Sequence, residues 1–560
     1  MVANKPSTRM KNAWTAPIAG AALIVVLTVT AYLPALSGGF VFDDNMLIAS
    51  NRLVKADDGL RRVWFTTEAA DYYPLTQSLW WLEWRLWGED THGYHMVSVL
   101  LHAANGVLLW SILRRLKIPG AWVAGLVFAV HPVNAATVAW ISEQKNELSM
   151  LFYGVAILSY LKLEEQGRWR WYAFSLAAFL LALLSKTATV MLPVVLLGCV
   201  YWLHGHVRWK DLLRSLPFFS LSLVFGLITV WFQSDAFVGH ETFLGRLATA
   251  GWVPWFYAYK AILPVDLTVI YPRWELDPGH WISYMPGLTL CLCFAIFWRK
   301  RSTWGRALLF GLGYFVLTLF PVLGFFDQGF YQYSLVADHW QYYSIGAVIA
   351  LVVALGTLMS RRFSERGRHG AVITTVAVLA MLAVATWKRS TVYTNNETLW
   401  RDNVAKNPNS WAGYNNLGVA FWRSGRVNDA IVCWQRALQI KPDYPEVHNN
   451  LASPLAQAGK FDDAIRHYEQ ALRTKPDYVE VQCNLGIVLA QVGRLSEAIE
   501  HYEQALRINP DYTDAHFNLG LALERTSRTN EAIAQYEQTL KLRPDFTPAS
   551  DALARLRGNQ

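Results

Sequence analysis

Residues 476–509 read PDYVEVQCNLGIVLAQVGRLSEAIEHYEQALRIN, and residues 510–543 repeat the design as PDYTDAHFNLGLALERTSRTNEAIAQYEQTLKLR. Working outward, prolines recur at 408, 442, 476, 510 and 544, spaced by 34 each time. Within that period Leu417, Leu451, Leu485 and Leu519 align, as do Gly418, Ala452, Gly486 and Gly520. Ala430, Ala464, Ala498 and Ala532 form another column, and Trp434, Tyr468, Tyr502 and Tyr536 an aromatic one. Small residues let two antiparallel helices approach, and the large ones fill the gaps between them. The proline ends each second helix, and Asp443, Asp477, Asp511 and Asp545 stand where they could cap the next one.

This is the tetratricopeptide pattern, and it predicts an α-solenoid of four repeats over 409–544, preceded by a half-repeat linker at 395–408 and closed by a capping helix at 545–560. Pro454 lies inside a first helix, where it should kink the chain, and Ser527 replaces the turn glycine of Gly425, Gly459 and Gly493. Asn416, Asn450, Asn484 and Asn518 share one position of each first helix. Such a ladder can bond the backbone of an extended peptide, or can serve the scaffold alone. It resembles the asparagine ladder of the O-linked N-acetylglucosamine transferase superhelix.

Residues 1–390 have a different character. The chain averages 53% hydrophobic and 16% charged, which excludes disorder, and five cysteines in 560 residues exclude a disulfide scaffold. Eleven apolar stretches are long enough to span a bilayer, near 15–36, 96–116, 120–141, 147–163, 169–185, 187–204, 214–232, 283–299, 306–326, 341–360 and 370–388. The stretch 246–264 carries Arg246, Lys260 and Pro254 and reads as interfacial or re-entrant. Basic residues gather in alternate connections: Lys5, Arg9 and Lys11; Arg114, Arg115 and Lys117; Lys162, Arg168 and Arg170; Arg208, Lys210 and Arg214; Arg299 to Arg306; Arg361 to Arg368. These segments hold 20 of the 32 basic residues before 395, so they mark one side, the cytoplasmic one. Residue 390 onward is then outside. The chain's charge of +8 is the sum of +10 before residue 395 and −2 after it, so it resides in membrane loops and a nucleic-acid partner is not expected.

A charged side chain in or beside a span is a functional candidate by default. Asp43 and Asp44 follow the first span, with Arg52 nearby, and two adjacent carboxylates need a metal, a cationic partner or a proton. His95, His102, His131, Glu143, Lys145, Lys186, Asp338, His339 and Tyr343 gather toward the same outer side. The lysines can instead snorkel, and His102 and His131 can be hydrogen-bonded core residues.

These residues carry a family resemblance. Phe42-Asp43-Asp44, Tyr73-Pro74-Leu75-Thr76, His131-Pro132-Val133 leading to Val138-Ala139-Trp140-Ile141, Leu184-Ser185-Lys186, and Val336-Ala337-Asp338-His339-Trp340-Gln341-Tyr342 occur in this order. In them the chain resembles the transmembrane and tetratricopeptide repeat-containing O-mannosyltransferases and their bacterial relatives, of the GT-C class. Family members often carry a glutamate after the His-Pro-Val stretch, where this chain has Asn134-Ala135-Ala136. The resemblance implies an all-α, polytopic GT-C-like domain over 1–390 and an inverting glycosyltransferase. That enzyme would move a sugar from a polyprenyl-phosphate donor to a Ser or Thr hydroxyl of a protein presented by the repeats. Asp43 would be the base with Asp44 its near equal, and Lys186, Lys145 or Arg52 would meet the donor phosphate. No metal or other cofactor would be obligatory, and the site would face the periplasm of a bacterial inner membrane. Two alternatives fit the same features: a non-catalytic membrane scaffold for exopolysaccharide assembly, and a polysaccharide polymerase or ligase.

Overall fold

The computed structural model describes residues 9–233 and 242–558. Lys5, one of the orientation signals, lies outside the described residues, as do the last two residues of the capping segment. The described residues form helices and turns with no strand. The chain divides into two compact units, Met1–Asn407 and Pro408–Gln560.

The helices of nine or more residues in the first unit are α1 (Arg9–Tyr32), α2 (Pro74–Trp87), α3 (His92–Arg115), α4 (Ala121–Ala129), α5 (Gln144–Gln166), α6 (Trp169–Ser185), α7 (Leu192–His204), α8 (Trp209–Phe232), α9 (Phe243–Ile262), α10 (Met285–Arg299), α11 (Gly305–Leu319), α12 (Ile345–Ser360), α13 (Glu365–Val392) and α14 (Asn396–Lys406). Among the described residues seven segments are long and apolar enough to cross a membrane: Pro17–Ser37, His92–Arg115, Thr187–His204, Trp209–Phe232, Trp281–Arg299, Gly305–Val322 and Glu365–Val392. Shorter apolar helices are Trp169–Ser185 and Ile345–Ser360.

The stretch 120–141 departs from the expected single span. It breaks into Ala121–Ala129 and Pro132–Val138, bent by 44°. The cause is Pro132, which has no N–H to continue the ladder. The freed groups find partners locally: Asn134 Nδ2 donates to the Phe128 carbonyl at 2.9 Å, and His131 Nδ1 accepts the Val133 N–H at 3.4 Å. The stretch 246–264, expected to be interfacial or re-entrant, lies mostly within α9, a continuous helix with Pro254 inside it. Helices approach closely where glycines meet. A Cβ on Gly125 would stand 3.2 Å from the Gly106 carbonyl and 2.9 Å from the Trp110 side chain, so α3 and α4 pack through small residues as membrane helices do.

The second unit holds four antiparallel helix pairs, Trp411–Arg423 with Val427–Ile440, Pro445–Gln457 with Phe461–Thr474, Val479–Gln491 with Leu495–Ile508, and Thr513–Arg525 with Thr529–Leu542, then Thr547–Gly558. The periodic columns do what their sizes require. A Cβ on Gly418 would lie 2.5 Å from the Trp434 ring, on Gly486 2.6 Å from the Tyr502 ring, and on Gly520 2.5 Å from the Tyr536 ring. Ser527 takes the left-handed backbone (φ 63°) that Gly425, Gly459 and Gly493 supply elsewhere. The helix containing Pro454 continues to Gln457. The aspartates after the prolines do not cap: Tyr444, Tyr478 and Tyr512 occupy the N-cap positions without a side-chain cap bond.

Substituting Gly486→Leu drives a branched side chain into Tyr502 and is expected to cost about 1–3 kcal/mol. Gln491→Ala, at an exposed position, should stay within about 0.5 kcal/mol. Urea midpoints of the repeat transition check both.

Candidate functional site

The segment after α1 is built around a strained turn. Phe42 adopts φ 47°, outside the range a bulky side chain prefers. Its ring packs against Trp140 (5.4 Å between centroids) and edge-on to Trp400 (5.0 Å), and its N–H donates to Asn396 Oδ1 at 2.9 Å. These contacts hold the two following carboxylates in different environments. Asp44 is fully buried: Oδ2 accepts the Val41 N–H at 3.0 Å and Oδ1 the Ser142 N–H at 2.6 Å. Asp43 is half-buried and faces a cavity of about 750 Å³.

The same cavity takes in Glu143, Lys145, Lys186, His339 and Tyr343. Glu143 lies between two ammonium groups, Lys145 Nζ at 3.0 Å and Lys186 Nζ at 3.8 Å. Asn146 Nδ2 donates to the Glu143 carboxylate and to the His339 carbonyl, and Tyr343 donates to Asn146 at 3.4 Å. Burial works against ionising Glu143, but Lys145, His339 and Lys186 outweigh it and hold the carboxyl down at about 2. Lys145 is correspondingly raised; its own burial is overcome by Glu143. Burial lowers Lys186 to about 8, helped by repulsion from Lys145 and opposed by Glu143. Burial also raises Asp43 to about 6, with Lys145 pulling the other way. Asp44 is pushed up to about 7 by burial, against the two backbone donors that favour its charged form.

Other predicted site residues are elsewhere. Arg52 is exposed on a short helix, Arg52–Lys55, and does not line the cavity, so the expectation that it meets a donor phosphate there is not met. His95, His102 and His131 are buried and do not line the cavity. His95 Nε2 bonds the Gly38 carbonyl (3.1 Å), His102 bonds the Tyr342 hydroxyl (2.8 Å) and the Ala129 carbonyl (3.2 Å), and His131 Nε2 bonds the Ala261 carbonyl (3.1 Å). Asp338 accepts from the Tyr271 hydroxyl at 2.7 Å and is buried. It precedes His339, whose ring stands edge-on to Trp140 at 5.3 Å. Sequence reading passed over Asp71, whose carboxylate lines the cavity and accepts from Gln233 Nε2 at 3.1 and 3.2 Å. Its only signal is its place two residues before the Tyr73-Pro74 motif.

The cavity collects one set of helix ends. Asp43 follows α1, Glu143 precedes α5, Lys186 follows α6, Gln233 follows α8, Thr318 ends α11, and His339 precedes α12. The opposite ends of these helices adjoin the basic connections. One wall of the cavity is apolar, formed by Val190, Met191, Gly226, Val230 and Val322, and Val230 is 63% exposed on the outside of the unit.

In the repeat unit the asparagine ladder bonds along the array. Asn450 Nδ2 donates to Asn415 Oδ1 (2.9 Å), Asn484 Nδ2 to Asn449 Oδ1 (3.1 Å), and Asn518 Nδ2 to the Cys483 sulfur (3.7 Å). Each of these three amides therefore ties one repeat to the one before. Asn416, first in the column, is half-buried.

A polytopic helical unit with a polar cavity at one set of helix ends, followed by tetratricopeptide repeats, defines the class of architecture. Residues 71–232 match the family described as dolichyl-phosphate-mannose-protein mannosyltransferase. Residues 423–453, 455–493 and 489–527 match the TPR repeat, and residues 513–546 the tetratricopeptide repeat. The chain is similar to a protein O-mannosyl-transferase of Caenorhabditis elegans, 23% identical over 456 residues, covering 76% of this chain and 63% of that protein. It is also similar to protein O-mannosyl-transferase TMTC3 of Mus musculus, 29% identical over 191 residues, covering 32% of this chain and 21% of that protein. A third relative, protein O-mannosyl-transferase TMTC2 of Mus musculus, is 27% identical over 226 residues, covering 37% of this chain and 27% of that protein. The chain thus spans less than two thirds of the length of each of these relatives. Among solved structures it is similar to MamA, at 23% identity and a TM-score of 0.25, covering 27% of this chain and 89% of that one. The family match and the named relatives agree with the resemblance read from the sequence: a mannosyltransferase-type region joined to tetratricopeptide repeats.

Asp44→Asn puts an amide N–H against a backbone N–H and is expected to destabilise the protein by about 1–3 kcal/mol. Asp43→Asn, with no such bracket, should leave the melting temperature unchanged. Glu143, depressed from its ordinary 4.5 to about 2, stabilises the fold above 4.5 and loses that contribution as the pH falls toward 2. Glu143→Gln should flatten that acid limb. Thermal melts of the purified full chain against pH read all three.

Proposed function

We propose that the chain is a membrane glycosyltransferase that moves a sugar from a polyprenyl-phosphate donor to a Ser or Thr hydroxyl of a protein, on the extracytoplasmic face. The observation that carries this reading is one cavity holding a half-buried carboxylate, Asp43, two lysines, Lys145 and Lys186, and an apolar wall reaching the unit's exposed surface. The family match and the relatives' names support it. The charge asymmetry of the loops supports a cytoplasmic N-terminus and an outer side for the cavity and for residue 390 onward.

Each part has a chemical task. The acceptor hydroxyl attacks the anomeric carbon as its proton passes to Asp43, and the bond from that carbon to the phosphate oxygen breaks. A single direct displacement inverts the anomeric centre. The leaving lipid phosphate develops charge in a site of low dielectric, where Lys186 and Lys145 stabilise it. Glu143 holds both ammonium groups near one point before the donor arrives, and Asn146 fixes Glu143. Asp44 positions the Asp43 loop and is not itself the base. The apolar wall of Val190, Met191, Gly226 and Val230 suits the first isoprene units. The repeats present the acceptor, with the ladder carbonyls as acceptors for peptide N–H groups.

Asp43 must be ionised and Lys186 protonated, so kcat/KM should fall below about pH 6 and above about pH 8. Asp43→Asn should lower kcat by roughly 10²–10⁴ with donor binding retained. Lys186→Arg should move the alkaline limb upward. The assay is transfer from a polyprenyl-phosphate sugar to a Ser/Thr peptide by the full chain in detergent. Wild-type rates in Asp43→Asn would remove Asp43 as the base, and no transfer by the wild-type chain would sink the enzymatic reading and leave a scaffold.

A further inference from the structure

The transfer reaction gives tasks to Asp43, Lys145 and Lys186 and leaves two polar groups of the cavity without one. Asp71 stands shortly before α2 and Gln233 is the residue after α8; both are half-buried and both line the cavity. They are 162 residues apart in sequence, and the fold brings them together: Gln233 Nε2 lies 3.2 Å from one oxygen of the Asp71 carboxylate and 3.1 Å from the other. Gln77 Nε2, on the first turn of α2, donates to the Asp71 carbonyl at 3.4 Å and steadies the backbone that carries the side chain.

The neighbours decide what this pair can bind. Burial raises the Asp71 carboxyl, and Gln233, Lys145 and Lys186 pull it back. Both lysines pair with Glu143, at 3.0 and 3.8 Å, and among the described residues neither pairs with Asp71. Asp71 is thus close enough to feel both ammonium groups and is neutralised by neither. An ionised carboxylate accepts hydrogen bonds and donates none. One amide nitrogen spread over both oxygens leaves each oxygen a further lone pair, and Gln233 Oε1 has no partner among the described residues. The pair therefore offers several acceptors and calls for a ligand that donates. Tyr72 also lines the cavity, with its ring 5.5 Å from that of Phe232, and gives these acceptors an apolar flank. Asp43, by contrast, has no side-chain hydrogen bond among the described residues, which leaves it the freer carboxylate to take a proton.

A second anion at Asp71 would be repelled, whereas a neutral hydroxyl donates to a carboxylate without that cost. A sugar ring carries hydroxyls at its edge and C–H groups on its faces, so acceptors beside an aromatic ring suit it, and a few placed polar groups in an otherwise apolar pocket are what fix a ligand's orientation. We propose that Asp71 and Gln233 form the subsite that accepts hydrogen bonds from hydroxyls of the donor's sugar and so selects which sugar is transferred. The sugar bonded to a phosphate held by Lys145 and Lys186 reaches Asp71 because the same two lysines act on that carboxylate. This inference rests on the lipid-phosphate-sugar donor proposed above.

The test compares the wild-type full chain in detergent with Asp71→Ala in the transfer assay. The donors are a polyprenyl-phosphate hexose that the wild type transfers and the monodeoxy forms that each lack one of its hydroxyls. In the wild type, loss of at least one hydroxyl should lower kcat/KM by about tenfold or more, because the buried acceptors are then left unpaired. Asp71→Ala should be slower with the parent donor and should use that deoxy form within about threefold of the parent, with both limbs of the pH profile kept. A preference in Asp71→Ala equal to the wild type's overturns the proposal, as does a wild type that uses every deoxy form within about threefold of the parent. Loss of the acid limb in Asp71→Ala would make Asp71 the base and overturns it too. Should Asp71→Ala fail to fold, Gln233→Leu takes its place with the same outcomes. Absence of transfer by the wild type from any hexose donor is a different result: it sinks the transfer reading, and the subsite with it.

Discussion

The Asp44 carboxylate is the tie on which the candidate site depends. It joins the amide of Val41, in the turn that follows α1, to the amide of Ser142, in the turn that opens α5. Those two turns are nearly a hundred residues apart in sequence and carry Asp43 on one side and Glu143 with Lys145 on the other. A short buried side chain that accepts two backbone donors is a stiff connector, because neither bond competes with water in the interior. Phe42, held in a left-handed conformation between two tryptophan rings, supplies the strain that turns Asp43 outward.

Around that tie, charge is balanced locally. Glu143 sits with two lysines and an asparagine, so each member keeps its charge despite burial. Lys186, whose burial Glu143 only partly offsets, holds its proton less firmly than Lys145. A phosphate oxygen arriving there would complete what Glu143 leaves unfinished. The cavity sets an apolar wall beside a polar floor, the separation that the proposed lipid-phosphate donor would need.

The repeat unit was legible because its physics is local. A glycine that must lie within 3 Å of an aromatic ring, and a turn residue that must take positive φ, each leave a mark at a fixed spacing, and the 34-residue period multiplies that mark. Even the exception is informative: Ser527 keeps the turn where glycine is missing. The aspartates after the prolines misled, since an N-cap residue type next to a proline does not say which residue begins the helix. In the membrane unit the apolar stretches were visible, but the break at His131-Pro132 depends on Asn134 reaching back to the Phe128 carbonyl, and a hydropathy count does not see that bond.

By itself the sequence determined an all-helical chain, a run of apolar segments with basic connections at alternate ends, a four-repeat solenoid, and a set of charged residues around Asp43 and Asp44. Tertiary structure alone decided which of those charges meet. It turned Asp43 into the cavity and Asp44 into the backbone, left Arg52 at the surface, buried three histidines against carbonyls and a tyrosine hydroxyl, and brought in Asp71. The physical reason is that hydropathy and period report on contacts within one segment. The direction of a charged side chain is fixed by donors and rings contributed from distant segments, such as Ser142, Asn396 and Trp400 around a turn at residue 42.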